Sequence, residues 1–502
     1  MLALAVRNTA KLVREKSKSE NIRLGRLFTK KETARLMAQM AEIDTGKNAY
    51  TILVPGAGTG ILAAAMVERI CKDAPACRQI FVTCYENDER FIPMLEDNLE
   101  RIRKKCRHDY GVRLYPTVYR ENYLTESKSH YTVTFFDSVA DKFDIIIENP
   151  PSELYLKNSP EAREVGGVTQ QKIGAQYLFA RLASTHLEED GQLITVLPTT
   201  VATASELKGF RMQMAEALSL RKIHLFVGRQ KNTKRAVPLG KNIVLSYSKN
   251  PEKHNIEISV SRVAEKVEKL SALPYGFIVS GTDGALTLPK SIEDARIVKY
   301  ISAFPETLSG LGLKVCTGLV IDSRCEELLF TEPLKSSVPL LRPAAIQNGR
   351  VAFPLPIKNQ YIAPTDDRLI QKNKNMIIIK RVPAVSDERF VNSAIYLAAQ
   401  MPKYRYISTH NKINYIDTKD KEGEICARLA FGLFALLNST IYDRFISIIS
   451  KSKQINAKEL KNLPLPPRNL IENIGMRLMA ARDTSVAACD KIVNPTLHII
   501  EK

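Results

Sequence analysis

The sequence predicts an α/β fold with a largely parallel sheet, on three observations. Strand-like and helix-like stretches alternate through roughly the first half of the 502 residues. A glycine-rich turn, Pro55-Gly56-Ala57-Gly58-Thr59-Gly60, joins an apolar strand to an apolar helix. A β-branched run, Ile145-Ile146-Ile147, stops abruptly at Asn149-Pro150-Pro151.

The third observation carries the most chemistry. Proline cannot donate to a strand ladder, so Pro150 and Pro151 forbid the strand to continue. Each proline also pushes the residue before it into extended geometry, which holds Asn149 and Pro150 nearly rigid. The side-chain oxygen of Asn149 and the backbone oxygen of Pro150 then form a pair of fixed hydrogen-bond acceptors. Such a pair suits a planar, conjugated amino group. Accepting from its two N–H bonds favours a pyramidal nitrogen and stabilises the positive charge that develops on it during attack. A strand ending in a Pro-Pro turn is the bland alternative, since Asn-Pro is a common turn opener.

Taken in order, Thr29 and Glu32 form a capping-box signature at the head of a helix within 24–43, with apolar Ala34, Met37, Met40 and Ala41 at helical spacing. Tyr50–Val67 reads as strand, glycine turn and helix, where glycines let the backbone approach a ligand at a helix N-terminus. Nucleotide, flavin and methyl-donor proteins all use such turns. Residues 80–85 form a second strand with Glu86 at its end, placed to hold the two hydroxyls of a ribose. A helix over 88–105 and a third strand closing at 119–124 follow, and the Asn-Pro-Pro strand is the fourth. Next come a helix over 172–188, a loop at 189–191, a strand over 192–197, a helix over 204–218, and strands at 222–227 and 242–248. The last two flank a basic loop, 228–241, in which Arg229, Lys231, Lys234 and Arg235 are either a solvated turn or phosphate contacts. Ligands bind at the C-terminal ends of such strands, so Gly56–Gly60, Glu86, Asn122 and Asn149 are expected along one edge. From about residue 300 short β-rich segments alternate with Pro, Gly and Asn, a helix is expected at 425–447, and a basic tail containing Lys453, Gln454 and Asn456 follows.

With 44% hydrophobic residues the chain is globular, and its length gives room for two or three domains. The net charge of +19 points to a polyanionic partner, nucleic acid before membrane, although such a charge also serves solubility. The opening apolar run is too short for a signal peptide, and Cys426–Ile449 is interrupted by Arg428, Asp443 and Arg444, so no membrane association is expected. Eight scattered cysteines without a CxxC pair indicate neither a zinc site nor a disulfide framework, and a cytoplasmic, reducing setting is expected.

In their order along the chain these motifs resemble the gamma class of S-adenosylmethionine-dependent amino-group DNA methyltransferases, in particular the Eco57I-like and type II restriction–modification N6-adenine enzymes. Leu24-Gly25-Arg26-Leu27-Phe28-Thr29 resembles the family's first motif, residues 55–60 its glycine motif, and Gln454–Pro466 its C-terminal signature. The resemblance implies a Rossmann-like methyltransferase domain over 1–300 with a seven-stranded, mostly parallel sheet, followed by an α+β target-recognition domain over 301–502. S-adenosylmethionine is the implied cofactor, held by Leu24, Phe28, Thr29, Pro55, Gly56, Ala57, Gly58, Gly60, Glu86 and Asn122. Asn149, Pro150, Pro151, Ser152 and Tyr155 are the implied catalytic set, and no metal is called for.

The implied reaction is methyl transfer to the N6 amino group of adenine in double-stranded DNA. The target base is swung out of the duplex so that its nitrogen reaches the cofactor. Arg229, Lys231, Lys234, Arg235, Lys453, Gln454 and Asn456 are the expected DNA contacts, with the second domain reading base edges. No nuclease motif is present, so any cutting is expected from a separate restriction endonuclease. The sequence departs from the family in three places: Val54 and Asn122 stand where it has Asp, and Ser152 where an aromatic residue stacks on the extruded base. Such stacking is worth about 1–3 kcal/mol, and Tyr155 is the nearest substitute ring. Methylation of RNA or of a protein glutamine uses the same nitrogen chemistry, and an inactive DNA-binding relative is a third class.

Overall fold

The computed structural model describes residues 1–14, 28–126, 142–165, 171–228, 239–262, 266–270, 272–280, 283–383, 387, 389–420, 422–450 and 454–498. Leu24, Gly25, Leu27, Arg229, Lys231, Lys234, Arg235 and Lys453, singled out above, lie outside them. The chain divides into two compact units, Met1–Ile292 and Glu293–Lys502.

The first unit is built on one mixed sheet of nine strands: β1 (Ala49–Pro55), β2 (Gln79–Tyr85), β3 (Arg113–Tyr119), β4 (Phe143–Glu148), β7 (Leu187–Pro198), β8 (Ser219–Val227), β9 (Leu239–Ser248), β10 (Glu257–Ser261) and β11 (Val267–Lys269). Between β4 and β7, β5 (Leu154–Leu156) and β6 (Lys172–Gly174) form a separate small hairpin. The spatial order is β11-β10-β8-β9-β7-β4-β1-β2-β3. From β3 through β7 every pairing is parallel, whereas β9 runs antiparallel to both of its neighbours.

The sheet therefore exceeds the expected seven strands by β10 and β11. Strand β10 pairs parallel to β8, where the buried His224 ring hydrogen-bonds Ser259 Oγ through Nδ1 at 2.8 Å and Ser261 Oγ through Nε2 at 2.9 Å. Burial lowers the His224 pKa to about 4, so the neutral ring is the stable one and can both donate and accept. Strand β11 is three exposed residues, too short to show alternation.

Several element boundaries depart from the sequence reading. The third strand ends at Tyr119, before the expected 119–124, and residues 123–126 are helical. As an edge strand it tolerates Pro116, which obscures the strand pattern. The loop expected at 189–191 lies inside β7, where Asp190 takes a φ of 64° and the register against β4 shifts. The helix expected over 24–43 runs from Lys31 to Met40, with Lys30 at its cap and no side-chain capping bond, so Thr29 and Glu32 do not form the predicted capping box.

Among the described residues the α-helices of the first unit are α1 (Leu2–Arg14), α2 (Lys31–Met40), α3 (Ile61–Asp73), α4 (Ile92–Tyr110), α5 (Tyr123–Glu126), α6 (Pro160–Val165), α7 (Ala175–Ala183), α8 (Lys208–Ala217) and α9 (Tyr275–Ile278). Ile52, Val54, Ile145, Ile147, Ile194 and Val196 form one buried sheet face, packed with Leu2, Met37, Met66, Leu95 and Ile102 from α1 to α4. Strands buried on both faces need the continuous apolar runs seen in β1 and β4.

The second unit holds a six-stranded and a five-stranded sheet of short strands together with helices. The helix expected at 425–447 is two, Ala427–Asn438 and Thr440–Ile449, broken where Ser439 caps the second. Ala427–Asn438 crosses Arg468–Ala481 at glycines: a Cβ at Gly432 would overlap the Ile471 carbonyl oxygen, and one at Gly475 the Arg428 carbonyl oxygen. Backbone cannot yield as a flexible side chain can. Gly475→Ala is therefore expected to lower unfolding free energy by about 1–3 kcal/mol, measured by urea denaturation, whatever helix propensity it gains.

Candidate active site

The site grows from the C-terminal ends of β1, β2 and β4. Parallel pairing aligns Ile52 with Ile145 and Leu53 with Ile146, so the chain leaves β1 into the glycine turn beside the point where it leaves β4 into Asn149-Pro150-Pro151. Pairing of Pro55 with Tyr85 brings Glu86 to the same edge.

Gly56, Gly58 and Gly60 adopt φ of 62°, 56° and 82°, a region that costs glycine little and other residues much. At Gly60 space is also short, since a Cβ would lie 2.9 Å from Leu95 Cδ1. Glu86 fixes the turn. Its Oε2 accepts from Gly58 N–H at 2.7 Å and its Oε1 from Asp88 N–H at 2.8 Å, while Ala57 N–H donates to the Tyr85 carbonyl at 2.9 Å. Burial pushes the Glu86 carboxyl up, and the backbone donors at Asp88 and Gly58 oppose that rise.

A polar network absent from the sequence reading braces the same turn from behind. Asn98 of α4 donates to the Thr59 carbonyl at 2.9 Å and accepts from Asn8 at 3.0 Å, and the Thr59 and Thr9 hydroxyls bond at 2.7 Å. Asn98 is fully buried on a helix face with Leu95, Leu99 and Ile102. A polar residue within an apolar helical stripe was the available signal. Phe28 packs edge-on to Phe91, with ring centroids 5.0 Å apart, near the glycine turn.

The half-buried Asn149 donates from Nδ2 to the Thr29 hydroxyl at 3.0 Å, across 120 residues of sequence. Pro150 and Pro151 are half-buried and Ser152 is exposed. Tyr155 lies on β5, half-buried opposite Ile173, and alternates with the exposed Leu154 and Leu156. Burial raises the Tyr155 pKa, so its phenol is neutral at physiological pH. Asn122 uses its side-chain oxygen locally, accepting from Leu124 N–H at 3.0 Å.

In the second unit, Asn456 caps the helix Ala457–Lys461 in a reciprocal box with Glu459, while Gln454 is exposed. The capping role gives Asn456 a structural reason to be there. Among the described residues no group of three or more His, Cys, Asp or Glu side chains is placed to hold a metal, and no helix is long and apolar enough to cross a membrane. All eight cysteines are free.

No protein-family model matches the chain. It is 26% identical over 489 residues to the Type II methyltransferase M.PstI of Providencia stuartii, covering 95% of this chain and 94% of that protein. It is 23% identical over 474 residues to the Type II methyltransferase M.BsuBI of Bacillus subtilis, covering 92% of this chain and 90% of that protein. The chain is thus similar, over nearly its whole length, to two Type II methyltransferases. Among solved structures, the Type IIL restriction-modification enzyme MmeI in complex with DNA aligns with 100% of this chain and 74% of its own, at 11% identity and a TM-score of 0.40.

The residue that the sequence reading overlooked beside the Asn-Pro-Pro motif is Glu148. It is fully buried, and among the described residues neither carboxyl oxygen has a hydrogen-bond partner. Its register neighbour Thr195 is also buried, with its hydroxyl outside hydrogen-bonding geometry. Burial pushes the Glu148 pKa up to about 8, and Thr195 offsets this only in part. The folded protein thus keeps a proton that the unfolded chain gives up near pH 4.3. That contribution to stability is complete below about pH 4.3 and is lost as pH rises toward 8. Glu148→Gln should remove this slope. The unfolding free energy of the parent is expected to fall between pH 5 and 8 by an amount of the order of a few kcal/mol more than that of the variant, in urea titrations at each pH.

Proposed function

We propose that the protein transfers a methyl group from S-adenosylmethionine to the N6 amino group of adenine in double-stranded DNA, as the modification enzyme of a restriction–modification system. The observation that carries this reading is the placement of Asn149-Pro150 at the strand end next to the glycine turn, with the Asn149 amide hydrogen-bonded through its nitrogen. Both near full-length relatives are named Type II methyltransferases.

The residues at the strand ends fit the cofactor. Glycine at 56 and 58 leaves those two positions of the turn without side chains, and the Glu86 carboxylate is locked in place with lone pairs remaining for a ribose. Phe28, Pro55, Ala57 and Asn122 complete the proposed set. When bound, S-adenosylmethionine supplies an electrophilic methyl group on a sulfonium centre.

Asn149 Oδ1 and the Pro150 carbonyl accept from the two N–H bonds of the extruded adenine. They draw its nitrogen toward pyramidal geometry and stabilise its developing positive charge. No ionisable side chain has to change its protonation state for this step. Tyr155 is the proposed ring against the base, in place of the aromatic residue that Ser152 replaces. DNA is held by the net charge of +19, with Arg229, Lys231, Lys234, Arg235 and Lys453 on phosphates. Residues from about 301 onward are the proposed target-recognition domain, with Gln454 and Asn456 proposed to read base edges. Cleavage of unmodified DNA belongs to a separate endonuclease.

The deciding experiment incubates the protein with labelled cofactor and duplex DNA and analyses the nucleosides. N6-methyladenine is expected, and label on another base, on RNA or on protein would redirect the assignment. Asn149→Ala should abolish transfer while calorimetry shows S-adenosylmethionine affinity within about two-fold of the parent. Tyr155→Ala should lower turnover by about one to two orders of magnitude, from the loss of roughly 1–3 kcal/mol of stacking, with cofactor affinity unchanged.

A further inference from the structure

We propose that Thr29 is a positioning residue for Asn149: its hydroxyl accepts from the Asn149 amide nitrogen and thereby turns the amide oxygen toward the target amino group. This rests on the methyl-transfer reading above, and moves Thr29 from the cofactor's contacts to the partner of the group that activates the substrate.

The chemistry of a primary amide makes such a partner necessary. Its two ends have opposite roles, one with two donors and the other with only lone pairs. The target nitrogen presents donors, so only the oxygen end can activate it, and an amide turned by half a revolution would set donors against donors. The prolines following Asn149 restrain its backbone, but they do not choose between the two ends of its side chain. Something must accept from Nδ2 on the side away from the substrate. The described contact of Asn149 Nδ2 with Thr29 Oγ1, at 3.0 Å between two half-buried residues, has that form.

Thr29 is also released from the role that its sequence context predicts. It precedes α2 by two positions, but the helix is capped at Lys30 without a side-chain bond, and the Glu32 partner expected of a capping box is not engaged as one. Helix α2 is seated on the sheet by the buried Ala34, Leu36, Met37 and Met40, which holds the residues just before it over the end of β4. The rigidity of that packing is what allows a hydroxyl 120 residues away in sequence to orient a side chain at the reacting end of the strand.

The test uses the full-length protein, S-adenosylmethionine and duplex DNA. Thr29→Val keeps the shape and removes the acceptor, while Thr29→Ser keeps the acceptor. Turnover should fall about ten- to a hundred-fold in Thr29→Val, the range for leaving a half-buried amide donor unsatisfied, and should return to within about three-fold of the parent in Thr29→Ser. The affinity and KM for S-adenosylmethionine should stay within about two-fold in both, so that the loss falls on kcat.

A second readout needs no activity. With 15N-asparagine labelling, and the Asn149 side-chain signal assigned by its absence from Asn149→Ala, exchange of those amide protons should be faster in Thr29→Val than in the parent. Unchanged turnover and unchanged exchange in Thr29→Val would overturn the proposal. So would a loss of cofactor affinity that matches the loss of turnover, since Thr29 would then be a cofactor contact. A parent protein that transfers no label to DNA would instead sink the methyl-transfer reading, and the inference with it.

Discussion

Parallel pairing of β1 with β4 is the constraint on which the rest of the site depends. The register that sets Ile52 beside Ile145 and Leu53 beside Ile146 makes both strands end at the same height, one in a glycine turn and the other in two prolines. Neither ending is a site by itself. The glycine turn offers backbone bare of side chains at Gly56 and Gly58, and the prolines offer a rigid pair of acceptors. In the proposed reaction, it is the shared edge that brings the loop assigned to the methyl donor beside the loop assigned to the target amino group. The cost of bringing these distant segments together is met by burying apolar strands between helices on both faces, at about 25 cal/mol per Å² of apolar surface.

Around that edge the protein uses hydrogen bonds in two ways. Glu86 spends its carboxylate on two backbone N–H groups, which fixes the loop conformation before any ligand arrives. The Asn8–Asn98–Thr59–Thr9 network does the same from the buried side, and each of its members is satisfied by another. Glu148 is the exception. It carries an unpaired carboxyl next to Asn149, held neutral by burial, where an apolar residue would be less costly. A buried carboxyl without a hydrogen-bond partner among the described residues, one position before Asn149, marks the end of β4 as a place where stability has been given up.

The second unit is assembled on a different principle. Its strands are short, its sheets are two, and its helix pair meets through glycines whose missing side chains let backbones touch. Such contacts carry little hydrophobic periodicity. This is why the single helix expected at 425–447 proved to be two, with Ser439 at the break. A continuous apolar run does not show where a helix is interrupted, and a serine cap inside it is a weak mark.

By itself the sequence determined the α/β class of the first unit, the glycine turn, the acid at the end of β2 and the Asn-Pro-Pro terminus. These are written in local chemistry: β-branched runs, prolines that stop a ladder and glycines that admit positive φ. Tertiary structure alone decided the sheet's two further strands, the bulge that absorbed the expected loop at 189–191, the bracing of the turn by Asn98 and the role of Thr29. Thr29 shows why. Its neighbours spell a helix cap, because a hydroxyl three residues before a glutamate is a local pattern. The partner it takes, Asn149, is 120 residues away and is brought within 3.0 Å only by the packing of α2 on the sheet. Local patterns report which bonds a residue is able to make, and the fold decides which of them it makes.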